Sequence, residues 1–122
     1  MLAKACGLSI DGVIELHSGT QYQVGAIGFA PGFAYMGELD ARLALPRRSN
    51  PRIHVPAGSV AIAERQTAVY PQASPGGWHL LGLCPWRLFD LHAESPCLLA
   101  IGDQVRFVPV THATYLAEGG RS

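Results

Sequence analysis

The chain has 122 residues, 48% of them hydrophobic and only 15% charged, with nine basic residues set against nine acidic ones. That length fits one domain of ordinary size, able to bury roughly two thirds of the surface its unfolded chain exposes. A net charge of zero argues against a broad phosphate-tracking face for nucleic acid, and no apolar run approaches the ~20 residues of a membrane-spanning helix.

Ser9 to His17 carries the clearest helix signal. Ser9 is placed to cap it, Ile10, Val13 and Ile14 share one face, and Gly19 is placed to end it. Gly12 weakens the segment by about 1 kcal/mol relative to Ala, so the helix has to lean on something. The preceding residues from Met1 to Gly7 are too short and too broken for a secretory signal. From Gln21 the pattern turns to short strands. Tyr22, Val24 and Ala26 alternate with Gln21, Gln23 and Gly25, and the run becomes fully apolar through Phe29. Val60–Ala63 and Thr67–Tyr70 flank Glu64-Arg65-Gln66 as a hairpin or bulge. Trp78–Gly82 and Val105–Pro109 are further strands, the last preceded by a turn at Gly102-Asp103. Short strands at this spacing point to a closed barrel or a sandwich. The tail from Glu118 to Ser122 reads as frayed.

Three cysteines, Cys6, Cys84 and Cys97, form neither a disulfide framework nor a zinc spacing; they read as small hydrophobes in a reducing cytoplasm. Five histidines without ligand spacing give no metal site. Gly32 and Gly37 have the glycine spacing of a phosphate loop, but Glu38-Leu39 follows where Lys-Ser/Thr is required. So little charge on a small domain also suggests that a partner covers part of the surface.

Three segments, 28–37, 46–60 and 66–78, are richer in Gly, Pro and aromatics than turns require. They read equally as tight corners and as preorganised loops that hold a ligand. Within them Arg52 has the fork to hold a carboxylate or phosphate, or else is a plain surface arginine. Gln66 and Tyr70 either orient an amide or carboxylate or make structural hydrogen bonds. Ser59 either binds or satisfies its own loop. His79 is a proton-transfer candidate near neutral pH, or a partly buried strand histidine. Gly76 and Gly77 allow close backbone approach, and Phe33 and Trp78 are core, partner or ligand contacts.

Taken together, Gly28-Phe29-x-Pro31-Gly32-Phe33-x-Tyr35, Pro51-Arg52-x-x-Val55-Pro56-Ala57-Gly58-Ser59-Val60, Gln66-Thr67-x-x-Tyr70-Pro71, Pro75-Gly76-Gly77-Trp78, Leu88-Phe89-Asp90 and Gly102-Asp103-x-Val105-Arg106-Phe107 occur in a fixed order. In these motifs the chain resembles the carboxyltransferase-domain C/D family, which takes in the B component of 5-oxoprolinase, allophanate hydrolase subunit 1 and the kinase inhibitor KipI. The resemblance implies a mainly β fold, a cyclophilin-like closed β-barrel with a short N-terminal helix. It divides the chain into a linker and helix over 1–20 left from an absent N-terminal domain, a barrel over 21–115 and a flexible tail over 116–122. It implies one component of an ATP-dependent amide or lactam hydrolase, opening 5-oxoproline to glutamate, with half of a shared active site on this chain. ATP would be held in the assembled complex, on this chain or on a partner. The implied partners are a homologue of the C component, similar to allophanate hydrolase subunit 2, and an A component of LamB/YcsF type. His79, Gln66 and Tyr70 would act in catalysis; Phe33, Arg52, Ser59, Gly76, Gly77 and Trp78 would bind substrate. The alternative within the family is a KipI-like inhibitor of a sensor histidine kinase. A prolyl isomerase would follow from fold analogy alone. Glu64 and Ala68 stand where the family usually has glycine, and a glycine held at positive φ cannot become Glu without strain.

Overall fold

The sequence's helix signal resolves into a capped element that is pinned to a sheet. The computed structural model describes residues 2–28, 32–90, 92, 94 and 96–119. After a short α1 (Leu2–Cys6), α2 runs Ile10–Ser18. Ser9 Oγ accepts from Gly12 N at 2.9 Å, and Gly19 N donates to Glu15 O at the other end. The helix buries Val13 and His17 against the sheet, which supplies the support that so short a helix lacks alone.

The strands follow in chain order as β1 Tyr22–Ile27, β2 Ala34–Gly37, β3 Arg52–Val55, β4 Ser59–Ala63, β5 Gln66–Val69, β6 Ser74–Gly76, β7 His79–Leu83 and β8 Gln104–Val105. Six of them form one antiparallel sheet in the order β7–β4–β5–β2–β1–β8, while β3 and β6 pair as a separate ribbon. Gly25 forms a bulge in β1, where Val24 pairs with Met36 and Ala26 with Tyr35. A helix not foreseen in the sequence, α3 (His112–Ala117), is capped by the Thr111 hydroxyl.

Strand alternation gives the sheet two covered faces. On β4, Ile62 joins Val13, Tyr22, Val24, Met36 and Leu39 on the α2 side. Ala61 and Ala63 turn the other way, with Ala68, Phe33, Tyr70 and Trp78, beneath Val55 of the ribbon. Polar groups inside the α2 side are paired. Thr67 donates its only hydroxyl proton to Ala61 O at 2.9 Å, so His17 Nε2, 2.9 Å from Thr67 Oγ1, must carry the hydrogen of that contact. Tyr22 donates to His17 O, and Phe107 packs against both rings.

The mainly β expectation is met, whereas barrel closure is not found: among the described residues β7 and β8 end the sheet without pairing to each other. Three stretches expected as ligand loops each supply a strand. Ala34–Gly37 alternates inward and outward and zips onto β1 and β5; Arg52–Val55 and Ser74–Gly76 pair with one another. Pro75 is tolerated there because the ribbon is only two strands wide, so a missing N–H interrupts no central ladder. The strand expected over Val105–Pro109 stops at Val105. Phe29 and Pro31 of the first motif lie outside the described residues.

Glu64, in the two-residue turn between β4 and β5, has φ 54. A β-carbon in that region costs about 1–2 kcal/mol, so Glu64→Gly is expected to raise the melting temperature by about 4 °C, checked by calorimetry. An equal or lower value would show that the turn is unstrained. Burial lowers His17 from 6.5 to about 4. The unfolded chain therefore takes up a proton below 6.5 that the folded one refuses until about 4. Stability that is complete at neutral pH should fall by up to ~3 kcal/mol across that window, and His17→Gln should remove this slope in urea titrations at stepped pH.

Candidate functional site

The centre of the site is Tyr70, and its position follows from the ladder that precedes it. Tyr70 N donates to Ser59 O at 2.9 Å, and Gly58 N donates back to Tyr70 O at 2.7 Å. This extends the β4–β5 pairing one step into the Pro56-Ala57-Gly58-Ser59 corner. Gly58 turns that corner at φ +85, and an added β-carbon would lie 2.7 Å from Cys84 O. Only glycine fits there. The Ser59 hydroxyl donates to Pro56 O at 2.7 Å and is buried, so it is committed to its own corner.

With Tyr70 included, four aromatic rings from three motifs meet here. Phe33 stands edge-on to Tyr70 at 5.2 Å and to Trp78 at 5.7 Å, and Tyr35 lies 4.9 Å from Phe33 and 6.0 Å from Trp78. These are the separations at which ring quadrupoles attract. Small residues beneath them, Ala61, Ala63 and Ala68, leave the room the rings occupy. Arg47 lies over Trp78 with its guanidinium carbon 5.8 Å from the ring centre, and Glu64 approaches Arg47 at 3.9 Å. Gly76 passes so close to Tyr70 that a β-carbon would collide with the phenol oxygen.

Burial pushes the Tyr70 phenol above its ordinary value; the nearby Arg47 opposes this and Tyr35 adds to it. Its hydroxyl makes no hydrogen bond to the described residues, and among them no fully buried side-chain oxygen is left unsatisfied, so the hydroxyl keeps some contact with solvent. Tyr70 also lines a groove of about 880 Å³ with Pro56, Pro71, Trp86, Phe89 and Tyr115. Trp86 is 59% exposed, so that wall opens to solvent. Cys84 also faces the groove, but burial raises its thiol above the ordinary value, which leaves it a poor nucleophile at neutral pH. All three cysteines are free and half-buried.

The structure thus brings Phe33, Tyr70, Gly76 and Trp78 together and sets the other expected residues apart. Gln66 starts β5, on the same face as Ala68 and Tyr70 but about 13 Å from Tyr70 at the ordinary strand rise, too far to share one small group. Arg52 pairs with Gly76 across the ribbon, and with His79 it lines a different cleft, beside α2. His79 Nε2 sits 2.8 Å from Pro46 O, so that nitrogen carries the hydrogen. Gly77 O accepts from Arg48 N at 2.7 Å, which ties the 46–48 segment to the ribbon. Sequence reasoning passed over Tyr35, Arg47 and Trp86. Tyr35 stood inside a quoted motif and Arg47 inside a quoted loop, but Trp86 had no local signal.

A family model of the carboxyltransferase domain, subdomains C and D, matches residues 1–99. Over 109 residues the chain is 53% identical to the 5-oxoprolinase B subunit of Escherichia coli O157:H7, covering 89% of this chain and 50% of that protein. The 5-oxoprolinase B subunit of Bacillus subtilis (strain 168) is 47% identical over 116 residues, covering 95% of this chain and 48% of the relative. The crystal structure of a conserved uncharacterized protein from Pyrococcus horikoshii superposes with a TM-score of 0.88 at 47% identity, over 93% of this chain and 53% of that one. The chain spans about half the length of the curated relatives it matches.

The two adjacent glycines of the third motif should respond differently to a methyl group. Gly76→Ala forces the Tyr70 ring from its place, and overpacking of this kind costs about 1–3 kcal/mol. Gly77→Ala meets Arg48 O at 3.4 Å and nothing nearer, an ordinary contact, and should cost less than about 1 kcal/mol. Urea unfolding of both variants tests the packing; equal losses would mean that Tyr70 is not held against Gly76.

Proposed function

The chain belongs to this carboxyltransferase family of subdomains C and D, and on that footing we propose that it is one component of an ATP-dependent lactam hydrolase, opening 5-oxoproline to glutamate with release of ADP and phosphate. The observation that carries the reading is Tyr70: a phenol whose hydroxyl has no hydrogen bond among the described residues, at the point where three separated motifs meet a groove.

Opening a lactam requires its carbonyl oxygen to be activated, here at the expense of ATP as co-substrate, and the developing charge to be met by oriented donors. The Tyr70 hydroxyl is such a donor, held rigid by Phe33 and Gly76. Trp86 and Phe89 offer apolar surface to a ring, and Arg47 brings a positive charge to the neighbouring aromatic face. An open groove cannot exclude water from an activated intermediate, which supports a site completed by another protein. In this reading the completing wall is a homologue of the C component, with a LamB/YcsF-type A component in the same assembly. The reading also carries a cyclophilin-like barrel, a cytoplasmic setting and ATP bound within the assembly.

A second reading, inhibition of a sensor histidine kinase in the manner of KipI, draws on Ile101, Val108 and Val110, which are 67%, 71% and 52% exposed. Kinase inhibition that survives Tyr70→Phe would favour it.

Purified with its partners, the chain is expected to form glutamate and ADP from 5-oxoproline and ATP. Tyr70→Phe should lower kcat/KM by about tenfold or more while the melting temperature stays within about 2 °C, because the lost hydroxyl holds nothing in the fold. No turnover, in an assay where the Escherichia coli relative is active, would remove the hydrolase reading. Full activity in the Phe variant would remove Tyr70 from it.

A further inference from the structure

A second cleft, of about 470 Å³, lies between the N-terminal helices and β7 and shares no residue with the Tyr70 groove. Adjacent arginines divide between the aromatic cluster and the cleft: Arg47 lies over Trp78, and Arg48 lines the cleft. The polar side chains of the cleft are Arg48, Arg52 and His79, and no carboxylate lines it among the described residues. Its walls are apolar, with Ile10 and Ile14 on one side and Leu81 on the other.

Arg42, Arg47 and Arg65 each have a carboxylate within 4.0 Å, from Asp40, Glu64 and Glu38. Among the described residues Arg48 and Arg52 have none. Arg48 is half-buried and Arg52 exposed, and two like charges lining one recess attract an anion to it. The recess is also bordered by Ile10, the first residue of the nine-residue α2, whose first turn carries Asp11 outside the cleft lining. The positions are fixed by backbone: Arg52 by its pairing with Gly76, Arg48 by its bond to Gly77 O, and the His79 ring by Pro46 O.

We propose that this cleft is a phosphate-binding site, taking inorganic phosphate or a phosphate ester by its oxyanion. A dianion matches two fork-shaped donors better than a single carboxylate does, and each fork donates paired N–H groups to its oxygens. The apolar walls would take the organic part of an ester. This assignment is independent of the lactam reading, since none of the cleft's residues belongs to the Tyr70 groove.

The test is a titration of the whole chain with inorganic phosphate at constant ionic strength, followed by NMR of arginine Nε–H and backbone amide signals. Saturable shifts are expected at Arg48, Arg52 and the first turn of α2, with millimolar affinity. Arg48→Gln and Arg52→Gln should each weaken binding by about tenfold, as loss of one charge-assisted contact does, while exposed Arg106→Gln leaves it unchanged. Circular-dichroism melts of the variants confirm that the fold persists. Shifts that do not saturate, or that chloride reproduces, would overturn the site. Tighter binding of 5-oxoproline than of phosphate at the same resonances would overturn its assignment to phosphate.

Discussion

Strand β5 is enclosed on both faces, and the rest of the molecule is arranged around that constraint. Thr67, Ala68 and Val69 are all buried, so no polar atom of these three residues can go unmatched. Thr67 meets the requirement by donating to Ala61 O and receiving the imidazole of His17, which fastens α2 to the middle of the sheet. Ala68, on the other face, contributes only a methyl and leaves space for the aromatic rings. One strand therefore sets both the seat of the N-terminal helix and the floor of the candidate site.

The same enclosure explains how the polar groups divide. The aromatic side of the 76–78 segment is filled by ring packing, whereas on the α2 side Arg48, Arg52 and His79 line a recess with apolar walls. The segment itself is thin because Gly76 and Gly77 carry no side chains, so Tyr70 and the 46–48 stretch both approach its backbone closely. The glycines here bring two surfaces near one another without merging them.

Of the two positions where the resemblance led to an expectation of glycine, the structure holds one in a strained conformation and the other in an ordinary one. Glu64 sits in the left-handed region, and its carboxylate reaches toward the Arg47 that covers Trp78. An exposed pair at that distance contributes little to stability, so its interest lies in the charge placed beside the aromatic face. Ala68 is a plain strand residue paired with Ala61, where a β-carbon is no burden.

The local elements were legible where local chemistry decides them: the Ser9 cap, the Gly19 stop, the strand pair around Glu64 and the short strand after Trp78 all appear near their expected places. The ordered motifs likewise identified the family, because glycines and prolines at fixed spacing record backbone turns directly. Alternation alone could not show that Ala34–Gly37, Arg52–Val55 and Ser74–Gly76 are strands, since each is too short to carry a period and depends on a partner distant in the chain. Nor could nearness in sequence separate Gln66 from Tyr70, or place Arg52 and His79 in another cleft, because extension along a strand and the side a residue faces are set by pairing register. By itself the sequence determined which turns and caps form, through steric and hydrogen-bonding preferences a few residues long. Only the tertiary structure decided which side chains share a surface, because that depends on contacts between segments whose order along the chain says nothing of their distance in space.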